Sequence, residues 1–437
     1  KLESFFNESE PQKIYSWIKE LYPIRRTLAG PGTDKTLQFL KNKIPNLKIN
    51  KYMSGTKVFD WTVPNEWHLD FGYIKDPDGN VIVHSDNSSL HIVGYSESVN
   101  KKITLNELKK HLYTLEDLPN AIPYVTSFYD KNWGFCIPYN DYKNLKDGQY
   151  EVCIKSSFVK GTLKTAEYVK KGESKKEIIL STYICHPEMV NNELAAPAIL
   201  ILISNLLSNM DTKYTYRILF NIETIGTLCY VSNNLEKLKK NVIAGFVFTC
   251  FGDEAVPNLV PSKYGDTLAD SFAKKTLKQF SLGFNLRSYF DKGSEERQYT
   301  HPNINLPFVT ITRSLFREYK EYHTSLDNLD MVNPKSLNQS VKIIKKLIEN
   351  IESEPIYIST TLGEPFLSKK KLYAKISSIT KTKDLHGELS TKLVNVISYC
   401  DGKNLVDDLY DYLPYSKKEI NSLIKILLKN GLIKQID

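Results

Sequence analysis

The sequence predicts an α/β fold, a sheet with helices on both faces, interrupted near its N-terminus by a β-rich insertion and followed by a small winged-helix module. Three observations carry this. Between roughly residues 175 and 354, short β-branched or apolar runs alternate with helical stretches. Between about 48 and 147 the texture is Val, Ile, Tyr and Trp broken by Pro and by turns such as Asp76-Pro77-Asp78-Gly79. Beyond Gly363-Glu364-Pro365 the chain becomes a run of short helices ended by glycines. A length of 437 residues agrees, being more than one hydrophobic core usually serves.

Taken in order, Ile14, Trp17, Ile18 and Leu21 recur at helical spacing, and Gly30-Pro31-Gly32 ends that helix. One helix, Lys101 to Leu118, is expected inside the β-rich segment. Strands are then expected at Glu177 to Cys185, Tyr216 to Ile222, Val242 to Cys250 and Leu306 to Thr312. Helices follow at Leu194 to Leu207, Thr224 to Leu238 and Thr267 to Phe280. In the last module helices are expected at Ser390 to Tyr399, at Leu405 to Tyr412 and after the Ser416/Glu419 cap, where Ile420, Leu423, Ile424, Leu427 and Leu428 form an apolar stripe up to Gly431. The expected domains are 1–47 with 148–366, 48–147, and 367–437.

With 41% hydrophobic and 25% charged residues, the composition is that of a globular protein, not of a disordered or fibrous chain. The longest apolar stretch, Leu194 to Ile203, is shorter than the roughly 20 residues a membrane span needs, so no membrane partner is expected. No leader pattern opens the sequence. Six dispersed cysteines without a C-x-x-C pair argue against a disulfide scaffold and fit reduced thiols, so the expected location is cytoplasmic. From Ser368 onward there are 13 Lys, no Arg and 8 Asp or Glu, so most of the net charge of +8 sits in the last module. Lys417, Lys418, Lys425 and Lys429 invite a nucleic-acid reading, but base readout usually employs Arg, Asn or Gln, and Asp407, Asp408 and Asp411 lie nearby. Packing or homo-oligomer contact is the preferred role, with nucleic acid not expected.

Chemistry gathers at strand ends, where α/β folds expose their sites. His186 follows the strongest strand, and Asn192-Glu193 precedes the next helix. Glu223 ends another strand, and His323 follows the last. Two histidines with carboxylates at one sheet edge make a zinc-like donor set. Individually each has a plainer reading: a loop histidine, or Asn192 and Glu193 as helix caps. Glu295-Glu296-Arg297 adds a polar cluster in which Arg297 could clamp a carboxylate or phosphate. Asp253 and Glu254, at a further strand end, could bind an amine or supply a metal oxygen.

Cys185-His-Pro-Glu-Met-Val-Asn-Asn-Glu-Leu-Ala-Ala-Pro197, Ile222-Glu-Thr-Ile-Gly226, Gly293-Ser-Glu-Glu-Arg-Gln-Tyr299 and Tyr322-His-Thr-Ser-Leu-Asp-Asn-Leu-Asp330 resemble the blocks of aminopeptidase-like bacterial proteins found with surface-polysaccharide genes. Ser54 to Pro64, Leu118 to Tyr124 and Asn132 to Cys136 resemble that group's β-rich insertion. More distantly, the chain is similar to zinc aminopeptidases with a co-catalytic metal pair. The resemblance covers nearly the whole chain and implies a zinc-exopeptidase-like core with a β-rich inserted domain and a C-terminal winged-helix domain.

By the same resemblance, His186 and His323 are metal ligands and Glu223 is the general base toward water. Glu188 orients the first imidazole, and Asp327 positions the loop bearing His323. Three positions depart from the two-zinc pattern. Asn192 stands where a bridging Asp is expected, Thr224 where a ligand carboxylate follows the base, and Thr249 where an Asp ends a strand. One zinc per chain is therefore expected, held by His186, His323 and either Asn192 or Glu193. Arg297, Glu295 and Asp253 are the expected substrate-binding residues. Ala195-Ala196 replaces a Ser-Gly pair, which tightens the backbone near the metal. The implied reaction is amide hydrolysis, on a peptide-like or an N-acyl amino-sugar substrate. The alternative is a non-catalytic metal or ligand-binding protein, and a transcriptional regulator is weaker still.

Overall fold

The computed structural model describes residues 10–373 and 385–436. Residues 1–9, 374–384 and 437, parts of the expected first and last domains, lie outside the described residues. Helix α1 (Glu10–Leu21) buries Ile14, Ile18 and Leu21, the stripe read from the sequence. Gly30 and Pro31 then start a second helix, α2 (Pro31–Lys43), because proline suits a first helical turn. A side chain at Gly32 would put its Cβ 1.7 Å from the Arg25 carbonyl oxygen, and this close approach fixes the turn that carries Arg26.

Strands β1 (Lys48–Met53), β2 (Glu66–Lys75), β3 (Val81–His84), β4 (Val99–Thr104), β5 (Gln149–Val159), β6 (Thr162–Lys170) and β7 (Glu177–Tyr183) follow. The helix expected at Lys101 to Leu118 is instead strand β4 and a single turn at Leu105–Leu108, capped by Thr104. Next come α3 (Ala195–Ser208), β8 (Thr215–Asn221), α4 (Ile225–Asn241), β9 (Val242–Phe248), β10 (Asn258–Val260) and α5 (Leu268–Lys278). The core closes with β11 (Asn285–Leu286), α6 (Glu296–Tyr299), β12 (Phe308–Thr312) and α7 (Pro334–Ser353).

The main sheet has eight strands in the order β1-β6-β8-β7-β9-β12-β10-β11. Its centre, β8-β7-β9-β12, is parallel, whereas β1 and β6 join antiparallel at one side. Every residue of β7 and β8 is buried, as both faces of a parallel sheet require. The segment Val190–Ser208 is long and apolar enough to cross a membrane, but 94% of it is buried inside the fold, which marks it as a core helix.

The insertion forms its own sheet, β3-β2-β5-β4. Both of its expected limits shift. Strand β1 pairs with β6 in the main sheet, and β5 pairs with β2 and β4 in the insertion. The C-terminal unit also starts earlier than 367, because β13 (Ile356–Ser359) sits between β14 (Asp401–Leu405) and β15 (Ile433–Gln435). Around that small sheet pack α8 (Leu385–Ile397), α9 (Val406–Tyr412) and α10 (Lys417–Lys429), the last capped by the Ser416 hydroxyl, which accepts the Glu419 N–H at 3.2 Å.

Candidate active site

Beyond β7 the chain runs through Ile184 and Cys185 to His186, which is 6% exposed. Its Nδ1 lies 2.6 Å from Glu193 Oε2, and the same oxygen accepts the His186 backbone N–H at 2.5 Å. Glu193 Oε1 faces the Arg26 Nε at 3.5 Å, with neither side chain exposed. Arg26 in turn donates to the carbonyls of His186 at 2.9 Å, Glu188 at 3.0 Å and Leu21 at 2.5 Å. A buried carboxylate thus orients the imidazole and is itself charge-paired, which leaves His186 Nε2 as the nitrogen free for other chemistry. Burial opposes protonation of His186, yet Tyr124, Cys185 and Glu193 together hold its pKa well above the ordinary value.

His323 approaches from the opposite side, with its ring centroid 5.2 Å from that of His186. It stacks on Tyr322 at 3.9 Å and meets Tyr124 edge-on at 5.3 Å. Burial, with His186 and Arg317 close by, pushes its pKa well down, so this imidazole is neutral. The insertion supplies Tyr124. Its N–H donates to the His323 carbonyl at 2.9 Å, and Ile122 and Ser325 exchange bonds of 2.9 Å, so residues 122–124 lie along the His323 loop like an added strand.

Between the histidine loops the backbone is forced. Glu188, Met189, Thr224, Cys250 and His323 all adopt positive φ, and Val190–Leu194 form a π-helical turn before α3. Such features concentrate where surrounding contacts over-determine a site. Asp327 holds this turn by accepting the N–H groups of Asn191 at 2.6 Å and Asn192 at 2.9 Å, while burial raises its pKa to about 7. Gly252 packs directly on the start of α3, where a Cβ would lie 2.6 Å from that of Ala195.

Asn192 is 1% exposed. Its Oδ1 accepts from the Tyr183 hydroxyl at 3.1 Å and the Cys250 thiol at 3.5 Å, and Tyr183 also meets Thr249 Oγ1 at 2.6 Å. The buried Asn192 Nδ2 has no partner.

Glu223 lies two residues past β8, in a tight turn whose Ile225 N–H reaches back to the Glu223 carbonyl at 2.9 Å. Burial raises the Glu223 pKa, against the pull of His186 and Arg297. Arg297 Nη2 lies 3.6 Å from Glu223 Oε1 and 3.4 Å from Thr224 Oγ1. The expected base and the expected anion clamp are therefore neighbours.

Four expected roles change. Glu295 is 0% exposed, and its oxygens accept from Ser181 at 2.5 Å and Thr227 at 2.6 Å, so it belongs to a polar network within the core and not to substrate. Asp253 is spent on Asn191 Nδ2 at 2.9 Å and the N–H groups of Ala255 and Ser314, so it ties loops together. The Glu188 carboxylate takes the Ser88 hydroxyl at 2.6 Å and the Ser89 N–H at 2.9 Å, which anchors the insertion. Glu193, expected as a ligand in alternation with Asn192, also makes the orienting contact to His186 expected of Glu188, while staying in the cluster of possible ligand atoms. Sequence reasoning missed Arg26, Tyr183 and Tyr124 as parts of the site. Cys185 also belongs, with ligand atoms of Cys185, His186 and Glu193 all within 4.8 Å of one another. Tyr124 and Cys185 fall inside recognisable sequence blocks, whereas Arg26 carries no local signal.

A family model described as a domain of unknown function (DUF4910) matches residues 15–354, and one described as a winged helix-turn-helix matches residues 355–435. The chain is 40% identical over 365 residues to a Clostridium acetobutylicum protein named for polysaccharide biosynthesis and an aminopeptidase-like domain, with 83% of each chain covered. A crystal structure of a candidate peptidase from the same organism agrees with a TM-score of 0.80 at 36% identity, covering 98% of this chain and 97% of that one. The zinc aminopeptidase BSAP from Bacillus subtilis agrees with a TM-score of 0.58 at 12% identity, over 78% of this chain and 95% of that one. A peptidase M28 precursor from Shewanella amazonensis gives 0.56 at 12% identity, over 83% and 97%. The two distant likenesses establish a shared fold. The α/β core of zinc-aminopeptidase type, with its winged-helix tail, is as the sequence predicts.

Proposed function

The chain belongs to the family described as a domain of unknown function (DUF4910), and from that membership and the cluster around His186 we propose that it hydrolyses an amide bond with the help of one metal ion. What supports this reading most is the convergence of His186, His323 and Glu223 at the carboxyl ends of the sheet. Fold relatives that are zinc aminopeptidases suggest zinc. Neutral His323 is a suitable donor, and so is His186 through Nε2 once the ion displaces the proton that its surroundings favour. The orphaned amide end of Asn192 fits a third: with oxygen and nitrogen exchanged, the nitrogen donates to the Tyr183 hydroxyl and the oxygen takes the unpaired position. A second ion does not fit, because Asn192, Thr224 and Thr249 bring no charge and two of them are tied to Tyr183. When bound, zinc supplies Lewis acidity toward a carbonyl.

In the proposed reaction Glu223 accepts the proton of the attacking water and later hands it to the departing amine. Its raised pKa suits both transfers, and Arg297 at 3.6 Å favours the ionised carboxylate that must be present before the first of them. The exposed part of Arg297 receives an acidic group of the substrate. An aminoacyl or N-acyl amino-sugar compound fits, the second being in keeping with the polysaccharide-biosynthesis name of the 40% identical relative. The proposed compartment is the cytoplasm, in keeping with six cysteines that are all buried free thiols. For the winged helix the proposed role is packing or self-association.

A screen of aminoacyl anilides and N-acyl amino sugars tests the reading, with Glu223→Gln as control and metal content measured on protein purified without added metal. About one zinc per chain and activity lost in the variant are expected. Activity surviving Glu223→Gln would remove the base from its role, and two ions per chain would overturn the one-metal assignment. A non-catalytic binding protein is the second reading, favoured by the neutral cluster of Tyr183, Asn192 and Thr249. Absence of metal together with absence of turnover would select it.

A further inference from the structure

A lysine-rich concavity lies at the other end of the sheet from His186. A cleft of about 850 Å³ opens where β9 and the segment before β12 begin, and β14 and β15 of the winged-helix sheet form its opposite wall. We propose that this cleft binds a polyphosphorylated ligand of nucleotide size.

Charge is the first argument. Lys176, Lys239, Lys240 and Lys263 from the core and Lys403 and Lys434 from the winged helix all line the cleft, against two acidic residues, Asp266 and Asp401. Asp401 is engaged locally, accepting the Lys403 N–H at 2.9 Å and Asn404 Nδ2 at 3.1 Å. Among the described residues, no carboxylate lies within 4.0 Å of the ammonium groups of Lys176, Lys239, Lys240, Lys263 or Lys403, although twenty-two ion pairs form elsewhere. Like charges gathered in a concave, low-dielectric surface repel one another, and a multivalent anion relieves that repulsion.

A plainer account covers part of the pattern. Lys239 and Lys240 stand in the last turn of α4, where cations favour the helix dipole. That account does not reach Lys176 before β7, Lys263 in a loop, or Lys403 on β14, which converge from separate elements. Thr267 and Leu268 at the start of α5 also line the cleft, but that helix end is already capped by the Asp270 carboxylate, which accepts the Thr267 N–H at 3.0 Å.

Size and shape narrow the ligand. A volume of about 850 Å³ is in the range of small-molecule sites and too small for a duplex. Tyr264 lines the same cleft and is 80% exposed, with Lys263 Nζ 5.4 Å from its ring centroid. An exposed aromatic ring beside ammonium groups suits a flat base with phosphates attached. Since the cleft involves neither Glu223 nor the histidines, its occupancy is independent of the hydrolytic reading.

Calorimetric titration of the full chain with adenosine diphosphate and with inorganic pyrophosphate tests the proposal. Both should bind, the nucleotide more tightly, and added salt should weaken both. Lys240→Glu with Lys403→Glu should raise both dissociation constants by about tenfold or more, whereas Lys417→Glu with Lys418→Glu on α10 should leave them unchanged. Tyr264→Ala should weaken the nucleotide and spare pyrophosphate. The pair Lys176→Gln and Lys263→Gln repeats the test without charge reversal, and unchanged circular dichroism melts show that the variants fold. No heat at about millimolar ligand, or affinity indifferent to the cleft lysines, would overturn the site. Equal affinity for the two ligands would overturn the nucleotide size.

Discussion

Arg26 shows how much of the site depends on a residue with no chemistry of its own. It lies 160 residues from His186 in sequence, yet its guanidinium neutralises the carboxylate that orients the imidazole. Arg26→Met should cost about 3–5 kcal/mol in urea unfolding, because Glu193 would remain buried and unpaired. If the pair instead serves only specificity, the loss will be near zero. Glu295 offers a test by pH. Burial raises its pKa to about 8, against 4.5 for an ordinary glutamate, so between those values the folded chain keeps a proton that the unfolded chain has released. Stability from this group is therefore complete below about 4.5 and is lost as pH rises toward 8, by at most about 1.4 kcal/mol per unit. Glu295→Gln lacks that slope, so its stability relative to the wild type should climb across the window and level off above it. That His186, His323 and Glu223 come together could be anticipated from the sequence, because each follows an apolar strand of one sheet. The parts played by Arg26 and Tyr183 could not, because they arise from contacts that no local pattern encodes.

At the scale of elements, strands were read well where β-branched and aromatic residues are concentrated, as in β9 and in β12, whose five residues are all of these types. The insertion was harder. Ile103, Leu108 and Leu112 are all buried, but they belong to a strand, a single turn and a second short strand, so their spacing imitates a helix that does not form. Helix α7 went unremarked although Asn333 caps it, accepting the Ser336 N–H at 2.9 Å, and Leu337, Val341, Ile344 and Leu347 make its buried stripe. The join between β8 and α4 was invisible for a different reason. Thr224 sits at φ 65° and ψ −80°, in a three-residue turn that few β-branched residues tolerate. Holding it there stores about 1–3 kcal/mol of strain. Thr224→Gly should recover part of that in a denaturant melt while slowing hydrolysis, because the turn sets Glu223 and Thr224 Oγ1 meets Arg297. A variant both less stable and less active would show that the turn is not strained.

Where strands of one unit begin in the expected span of another, local sequence gives no sign of it. Strand β1 belongs to the core and β13 to the tail, because pairing partners far along the chain decide membership. Where the tail meets the core, Lys275 of α5 lies 3.2 Å from Glu354 and 2.7 Å from Asp407 of α9. Its side chain is only 16% exposed, and although burial opposes the charge, the two carboxylates raise its pKa above the ordinary value. Lys275→Glu would set three carboxylates together at this junction. The expected result is a loss of about 1–2 kcal/mol and a thermal unfolding curve that splits into separate core and tail transitions. Lys275→Met removes the pairs without adding repulsion and should fall between the two. Because the phosphate cleft takes one wall from each unit, loosening the tail should also weaken pyrophosphate binding while leaving the histidine site at the far end of the sheet unchanged. An unsplit transition with undiminished binding would mean that the apolar contacts of the junction, not this ion cluster, hold the tail in place.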